Sequence, residues 1–334
     1  MRFMVIGTGF AEAHIQWIQE SNVATVAALG YMNNPSRAKK LATQYGIPLI
    51  SNNPLDIIDS GKIDAISIVT PPDTHEHFII PSLNKNLLVI SDKPLAHSAA
   101  AAKSLAEKVR QTGGNASITF QWRTHPVFKR LRELCHSPEL GALVHIDLQF
   151  YHDFLAGPST LWSWRHNSKQ SGAGTLGDQG VHLFDLLRYI TSDEWHVSGA
   201  TKVIAWPQRN AGSIPISCNT DDIADVLLAN DRTTAKARIL TSRVCIGRRE
   251  IYAQIQGTLG SANITVNPDT GAGKLAYIKI SDPKIHSESF NNSGNIYRLI
   301  VGSHQNNVKQ AEVANFDDGY AAQILLEEAL LLAE

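Results

Sequence analysis

The sequence contains little cysteine, and this limits the chemistry open to it. Only Cys135, Cys218 and Cys245 occur among 334 residues, far apart and odd in number. They offer neither the close spacing of a metal site nor the even set of a disulfide framework. We therefore expect a reducing compartment, no bound metal ion, and cysteines that act as apolar filler.

The chain also lacks an excess of charge of one sign and any long apolar run. Its 30 Lys and Arg residues offset 31 Asp and Glu residues, and no basic stripe alternates with aromatic residues, so no nucleic-acid partner is expected. The apolar run before Gly7 is too short for a signal peptide, and no stretch is long enough to span a membrane. We expect a cytoplasmic protein that does not bind membranes.

The length predicts two domains, which we place at residues 1–121 and 122–334. In the first domain short apolar runs alternate with helical patterns, which is typical of an α/β fold with a doubly wound parallel sheet. The expected strands are 3–6, 23–29, 47–50, 63–69, 87–91 and 116–120, and the expected helices are 11–21, 35–45, 54–59, 74–83 and 98–111.

The hydropathy pattern changes after residue 121. There, alternating apolar and polar residues predict a largely antiparallel sheet covered on one face by helices. This is an α+β pattern. The expected strands are 143–151, 197–206, 223–228, 234–241, 250–256 and 262–266, and the expected helices are 126–136, 176–190 and 316–334. Residues 281–315 are poorly patterned, and little is assigned there.

A glycine-rich loop separates the first strand from the first helix. It reads Gly7-Thr8-Gly9-Phe10-Ala11, and such a loop places backbone N–H groups and a helix N-terminus against a dinucleotide pyrophosphate. Glu12 stands where the fingerprint has its third glycine, which weakens the motif. The alternative is a tight strand–helix turn that binds no ligand.

The end of the second strand selects between NAD and NADP, because an NAD-preferring site carries a carboxylate there. The segment 30–37 contains none. Asn33, Ser36, Arg37 and Lys39 offer contacts for a 2′-phosphate, which favours NADP over NAD. The alternative is that Arg37 and Lys39 lie on a solvated helix face.

A lysine stands at the end of another predicted buried strand. The apolar run 87–90 leads into Asp92-Lys93-Pro94, and Pro94 cannot donate to a sheet ladder. Lys93 is therefore expected at the carboxyl edge of the sheet, where open α/β sheets bind ligands. Burial and a nearby cation would favour loss of its proton.

Two further motifs carry polar groups. Thr70-Pro71-Pro72 and His75 follow the fourth strand, so they should line the same crevice; the alternative is an ordinary proline turn.

In the second half, Asp178 and His182 lie four residues apart on a predicted helix, and small residues precede them. The small residues would let another chain segment or a ligand come close. The alternative is a local Asp–His pair.

Together these motifs resemble the family of glucose–fructose oxidoreductase, inositol dehydrogenase and the rhizopine-catabolism proteins. The resemblance covers nearly the whole chain. It rests on Gly7-Thr8-Gly9-Phe10, Thr70-Pro71-Pro72 with His75, Asp92-Lys93-Pro94, Gln121-Trp122-Arg123 with Pro126, Trp164-Arg165, Gly172-Ala173-Gly174, Asp178, Gly180, His182 and Asp185. Asp92 departs from the family's Glu, and Ala173 from its middle glycine.

The resemblance implies a Rossmann domain followed by a domain with a large open sheet that often forms dimer or tetramer contacts. It implies an NAD(P)-dependent oxidoreductase that acts on a secondary hydroxyl of a sugar or polyol. Lys93 would be the catalytic lysine, and Asp178 and His182 the second-domain pair, with Lys93 or His182 as the proton acceptor. Asp92 and Gln121 would join the cofactor site.

The expected substrate contacts, beside Lys93, Asp178 and His182, are Arg123, Tyr151, Trp164 and Arg165, each with domain packing as the alternative role. Two other functions remain open at this point. One is a glycoside hydrolase that uses bound NAD as a reusable redox centre. The other is a regulator that binds a dinucleotide or sugar without catalysis.

Overall fold

The computed structural model describes residues 1–230, 232–291 and 294–333. The chain forms two compact units. Unit 1 comprises Met1–Thr124 and Asn295–Gln323, and unit 2 comprises His125–Gly294 and Ile324–Glu334. Because each unit takes in a segment from late in the chain, a single boundary at residues 121–122 does not describe the division.

Unit 1 is built on a six-stranded parallel sheet, which confirms the predicted doubly wound fold. Its strands are β1 (Arg2–Ile6), β2 (Thr25–Gly30), β3 (Leu49–Ser51), β4 (Ala65–Ile68), β5 (Leu88–Ser91) and β6 (Ala116–Ile118). Its first helices are α1 (Ala11–Glu20), α2 (Pro35–Tyr45), α3 (Pro54–Asp59), α4 (His75–Asn84) and α5 (Ala99–Thr112). The strand order is β3-β2-β1-β4-β5-β6. Successive strands are added on one side of β1 up to β3 and on the other side from β4 onward, and such sheets bind ligands at this switch point between β1 and β4.

Residue types at the helix ends explain where these helices begin and end. Pro35 occupies the first turn of α2, the Asn34 side chain accepts from the Arg37 N–H, and Gly46 ends the helix in the left-handed region. Ser98 caps α5 in the same way, and Gly113 closes it. Local sequence signals therefore set both ends of these two helices.

Unit 2 contains an eight-stranded sheet that is antiparallel except where β7 and β12 pair in parallel, as the α+β pattern predicted. In chain order its elements are α6 (Pro126–Cys135), β7 (Leu143–Tyr151), α7 (Ser168–Ser171), α8 (Val181–Thr191), β8 (Trp195–Val203), β9 (Gln208–Ala211), β10 (Ile214–Ser217), β11 (Ile223–Asn230), β12 (Lys236–Ser242), β13 (Glu250–Gly257), β14 (Gly260–Val266), β15 (Gly273–Lys279) and β16 (Asp282–Phe290). The sheet order is β16-β15-β14-β13-β7-β12-β11-β8, and β9 pairs only with β10.

The sheet of unit 2 has two different faces. Alternate residues of β7, namely Ile146, Leu148 and Phe150, are buried on the face that α6 and α8 cover. The residues between them, such as Asp147 and Gln149, are half-buried on the opposite face. This alternation is what the sequence predicted for residues 143–151.

Two helices lie late in the chain: α9 (Ile296–Asn306) and α10 (Phe316–Leu332). The predicted closing helix is confirmed, and its last residue, Glu334, lies outside the described residues. Helix α9 and strand β16 occupy the region 281–315, to which the sequence assigned little. None of the helices in the described ranges is long and apolar enough to cross a bilayer.

Helix α9 joins the core of unit 1 through a buried polar cluster. The Tyr297 hydroxyl lies 2.7 Å from His14 Nδ1 and 2.6 Å from Ser67 Oγ, so α1, β4 and α9 meet there. All three side chains are fully buried. Burial lowers the pKa of His14 and raises the pKa of Tyr297, so both remain uncharged at neutral pH.

Replacing Tyr297 with Phe removes one hydroxyl from this cluster and keeps the ring. We expect Tyr297→Phe to lower the free energy of unfolding by about 1–2 kcal/mol, because buried partners lose a hydrogen bond. Urea denaturation at pH 7 measures the change. The control is Tyr45→Phe, at a half-buried hydroxyl that donates to Glu12, for which a change within about 0.5 kcal/mol is expected. Equal stability of Tyr297→Phe and the wild type would contradict a stabilising role for the cluster.

Candidate functional site

The glycine loop forms an open cradle at the end of β1. Gly7 has φ +117°, and a Cβ there would lie 2.8 Å from the Val69 carbonyl oxygen, so only glycine fits. Gly9 has no atom within 4 Å of a would-be Cβ. Helix α1 begins without a side-chain cap from Phe10, so no N-cap side chain occupies its first N–H groups. The loop therefore suits a pyrophosphate.

Glu12, at the third position of the fingerprint, is turned to other partners. Its carboxylate accepts hydrogen bonds from Gln44 and from the Tyr45 hydroxyl, both at the end of α2. Arg37 of α2 contacts the glycine loop instead, because its Nε donates to the Thr8 carbonyl oxygen at 2.6 Å. Arg37 is exposed, as is Asn33. The guanidinium therefore lies beside the loop that would hold the dinucleotide.

The segments after β4 and β5 are tied together by His75. Its Nε2 lies 2.9 Å from the Thr70 carbonyl oxygen and its Nδ1 lies 3.0 Å from the Leu95 carbonyl oxygen. The ring is fully buried, and burial lowers its pKa. His75 was expected to contact the cofactor. Its ring nitrogens lie against backbone carbonyl oxygens of unit 1, which favours a supporting role, and contact with the cofactor stays a prediction.

Lys93 lies at the carboxyl edge of the same sheet and is half-buried. The Asp92 backbone N–H donates to the Ile68 carbonyl oxygen, and Thr119 Oγ1 donates to Asp92 Oδ1 at 2.6 Å. These two hydrogen bonds join the ends of β4, β5 and β6. Strand β5 is two strands from β1. At the usual spacing of about 4.8 Å per strand, Lys93 leaves the sheet roughly 10 Å from the glycine loop.

The turn after β6 carries Gln121 and Arg123 in a 3₁₀ segment, Gln121–Thr124. Gln121 is half-buried. The Arg123 guanidinium is buried, donates to the Ala311 carbonyl oxygen at 3.1 Å, and pairs with Asp318 at 3.1 Å. These contacts favour the packing role over substrate contact for Arg123.

In unit 2, the helix of Asp178 and His182 is not a plain α-helix. Leu176–Gly180 forms a π turn, and α8 follows without a break. The predicted helix 176–190 is therefore present, but the spacing of Asp178 and His182 is not that of an α-helical i, i+4 pair. Asp178 is half-buried and His182 is buried. π turns are rare, occur mostly within α-helices and are frequent at functional sites.

The other predicted substrate contacts of unit 2 differ in their setting. Trp164 is exposed, and the Arg165 guanidinium carbon lies 4.5 Å from the centre of its ring. Tyr151 donates to Gln149 and lies on the sheet face opposite α8, with the Arg248 guanidinium carbon 3.7 Å from its ring centre. Tyr151 and the helix that carries His182 thus lie on opposite faces of this sheet, and a substrate contact by Tyr151 stays a prediction.

The predicted site residues thus fall into two sets. The glycine loop, Thr70 and Lys93 share one edge of unit 1, whereas Trp164, Arg165, Asp178 and His182 belong to unit 2. The meeting of the two sets on one substrate stays a prediction.

The described part of the chain contains no group of three or more His, Cys, Asp or Glu side chains that would hold a metal ion. Burial raises the pKa of Cys135 to about 12, so that thiol stays protonated at neutral pH.

A parallel sheet with a glycine loop, joined to a unit with a large mostly antiparallel sheet, defines a Rossmann-fold protein with an α+β companion unit. Residues 1–120 match the model of an oxidoreductase family with an NAD-binding Rossmann fold, and residues 128–263 match the GFO/IDH/MocA C-terminal domain. The chain belongs to the GFO/IDH/MocA oxidoreductase family, which confirms the resemblance seen in its motifs.

Several curated relatives are dehydrogenases. The chain is 30% identical over 227 residues to scyllo-inositol 2-dehydrogenase (NAD(+)) of Bacillus subtilis, covering 67% of this chain and 62% of that protein. It is 25% identical over 160 residues to levoglucosan dehydrogenase of Pseudarthrobacter phenanthrenivorans, covering 48% of this chain and 41% of that protein. The alignments with these two relatives thus span less than two thirds of their length.

Solved structures share the fold across the whole chain. Levoglucosan dehydrogenase in complex with NADH and levoglucosan superimposes with a TM-score of 0.88 at 20% identity, over 100% of this chain and 97% of the other. GenD2 from gentamicin A biosynthesis, in complex with NAD, gives a TM-score of 0.81 at 18% identity, over 100% and 94%. At such identities the likeness establishes the fold alone.

The open space at Gly9 allows a test of the cradle. We expect Gly9→Val to leave the melting temperature unchanged, since a Cβ at residue 9 meets no atom within 4 Å, and to weaken NADH binding at least tenfold. Quenching of tryptophan fluorescence by NADH measures the affinity. The matched control is Gly302→Ala in α9, where a Cβ also meets nothing and NADH affinity should stay the same. Wild-type affinity in Gly9→Val would contradict the assignment of the cradle.

Proposed function

We propose that this protein is an NAD-dependent oxidoreductase that interconverts a secondary hydroxyl and a carbonyl on a sugar or polyol. The observation that carries the proposal is the shared edge of unit 1, which holds the open glycine cradle and Lys93 two strands apart in a sheet of the NAD-binding oxidoreductase type. The names of relatives such as scyllo-inositol 2-dehydrogenase support a polyhydroxylated substrate.

A dinucleotide held at the glycine loop would supply the hydride acceptor for the carbinol carbon, and the hydride donor in the reverse reaction. The protein orients the hydroxyl and moves its proton. We assign orientation to the Lys93 ammonium group, which donates a hydrogen bond to the hydroxyl oxygen. As the hydride leaves carbon, the hydroxyl proton passes to an imidazole nitrogen of His182, and the carbonyl forms. An imidazole nitrogen can both accept and return a proton, which suits this transfer in either direction.

Asp178 contributes charge to the proposed proton transfer. A carboxylate near an imidazole favours the protonated ring, which stabilises the state formed when the hydroxyl proton has moved. Trp164 and Arg165 offer an exposed ring and a cation on one 3₁₀ turn, Trp164–His166. Such a ring supports the apolar C–H face of a sugar, and the guanidinium donates to its hydroxyl groups.

We propose NAD as the cofactor, which departs from the sequence-based preference for NADP. That preference finds no support in the comparisons, where the matched domain model is NAD-binding and the solved relatives carry NADH or NAD. Arg37 also donates to the glycine loop through Nε, so part of its guanidinium is already used. We therefore expect a higher kcat/KM with NAD than with NADP on the same substrate.

Replacement of Lys93 tests the proposed reaction. We expect Lys93→Met to lower kcat at least a thousandfold and to change the NADH dissociation constant less than threefold, because the glycine cradle is untouched. Absorbance at 340 nm over a panel of sugars and polyols, with NAD and with NADP, gives the rates. The control is Lys103→Met, at an exposed lysine of α5 that pairs with Glu107, and full activity is expected.

Three results would contradict this assignment. One is wild-type turnover by Lys93→Met. Another is the release of an aglycone from coloured glycosides by the wild type without net NAD reduction, which would identify a hydrolase that recycles its cofactor. The third is tight binding of NADH with no turnover of any sugar or polyol, which would favour a regulator.

We also propose that the open face of the unit 2 sheet pairs with a second copy of the chain. Tyr252 is half-buried and lies near the middle of that face, beside Gln149 and Thr265. We expect Tyr252→Glu to shift the mass in solution towards that of one 36.5 kDa chain, because a carboxylate would be buried at the contact. Light scattering coupled to gel filtration measures the mass. Leu331→Glu, at an exposed position of α10, is the control, and a monomeric wild type would contradict the proposal.

A further inference from the structure

Three consecutive polar residues precede β11 and are almost completely buried. Thr220, Asp221 and Asp222 have 2%, 3% and 2% of their surface exposed. Burial of two adjacent carboxylates is unfavourable unless each has partners that satisfy its charge. The partners of these residues therefore show what the segment holds in place.

Asp221 binds the start of the helix that carries Asp178 and His182. Its Oδ1 accepts from the Gly174 N–H and its Oδ2 from the Leu176 N–H, each at 2.7 Å. Its backbone carbonyl oxygen accepts from the Thr175 N–H at 2.8 Å. One residue thus satisfies three consecutive N–H groups at a helix start, where donors have no partner within the helix.

No residue of the helix itself performs this function. The Thr175 side chain does not cap the helix and donates instead to the Gln179 side chain. A carboxylate at this end also interacts favourably with the partial positive charge of the helix N-terminus. Asp221 therefore acts as a cap supplied from a distant part of the chain.

The small residues before Asp178 are explained by the same contact. A Cβ on Gly174 would lie 2.0 Å from the Asp221 carbonyl oxygen. The sequence predicted that small residues here admit either another chain segment or a ligand. At Gly174 the neighbour is a chain segment, and a side chain at this position would push Asp221 away from the helix start.

The residues on either side of Asp221 hold the second loop of the candidate site. Thr220 Oγ1 donates to the Arg165 carbonyl oxygen at 2.9 Å. Asp222 pairs with Arg243 at 2.9 Å, and Arg243 donates to Thr220 Oγ1 at 2.8 Å and to the Arg165 carbonyl oxygen at 3.3 Å. The segment 220–222 thus contacts both the turn with Trp164 and the helix start.

The π turn makes this support necessary. It contains Gly177 and Gly180, and glycine weakens a helix, so the turn has little stability of its own. Its far end continues into α8, whose residues Leu183 and Phe184 are fully buried. The segment from Leu176 to Gly180 is therefore held at one end by the core and at the other by Asp221.

We propose that Asp221 is a positioning residue that fixes Asp178 and His182 for catalysis, and that Thr220 does the same for the Trp164–Arg165 turn. This rests on the proposed function for its catalytic part. Asp221 itself touches no substrate, because it is buried and its carboxylate is occupied by two backbone N–H groups.

The test compares Asp221→Asn with the wild type by two independent measurements. Asparagine keeps the size but offers one oxygen and one NH₂ group, so one backbone N–H loses its acceptor. We expect amide hydrogen exchange in residues 172–182 to rise at least tenfold. We also expect kcat for the sugar or polyol to fall at least tenfold, with the NADH dissociation constant unchanged within twofold. Asp282→Asn, at a half-buried carboxylate of β16 beside His286, is the control for both measurements.

A milder variant keeps the proposal testable if Asp221→Asn does not fold. Thr220→Val removes one hydroxyl, which contacts the Arg165 carbonyl oxygen and the Arg243 guanidinium. We expect it to raise KM at least threefold with little change in kcat, since it loosens the Trp164–Arg165 turn and leaves the Asp221 cap in place.

The two measurements separate the possible failures. Unchanged exchange in Asp221→Asn would overturn the proposal, as would faster exchange with wild-type kcat. A wild type that converts no sugar or polyol would refute the proposed function, and the exchange measurement would then decide by itself whether Asp221 holds the helix start.

Discussion

The parallel pairing of β1, β4 and β5 is the constraint on which the candidate site depends. Ile6 pairs with Ile68, and Ile68 pairs with Ser91, so three neighbouring strands end at one level. The chain leaves the sheet at Gly7, Val69 and Asp92 along a single edge. A shift in this register would separate the glycine loop from Lys93, even if every residue of both motifs were retained.

Buried polar contacts between distant segments hold the loops at that edge and in the second unit. In unit 1 they include His75, which joins the segment after β4 to the segment after Lys93, and the ion pair of the buried Arg123 with Asp318. In unit 2 they are made by charges, as where Asp222 pairs with Arg243 and Asp221 binds backbone N–H groups.

Much of this could be predicted because it is local. A strand followed by Gly7 and Gly9, and a buried strand that ends in Lys93-Pro94, each carry their signal within about ten residues. Helix α9 was missed because its neighbours in sequence are irregular, although Ile296 and Ile300 are spaced as one buried helix face. The π turn at Asp178 was also missed, because apolar periodicity does not distinguish it from an α-helix.

The amino-acid sequence by itself determined the alternation of strands and helices, the position of the glycine loop, and the place of Lys93 at the end of a strand. These follow from backbone propensity and the burial of apolar faces over short distances. Only the tertiary structure decided that Tyr151 lies on the far side of its sheet, that Arg123 is held by Asp318, and that Asp221 caps a helix 45 residues earlier in the chain. Such contacts join residues far apart in sequence, and no local pattern encodes which distant partner will meet a buried charge.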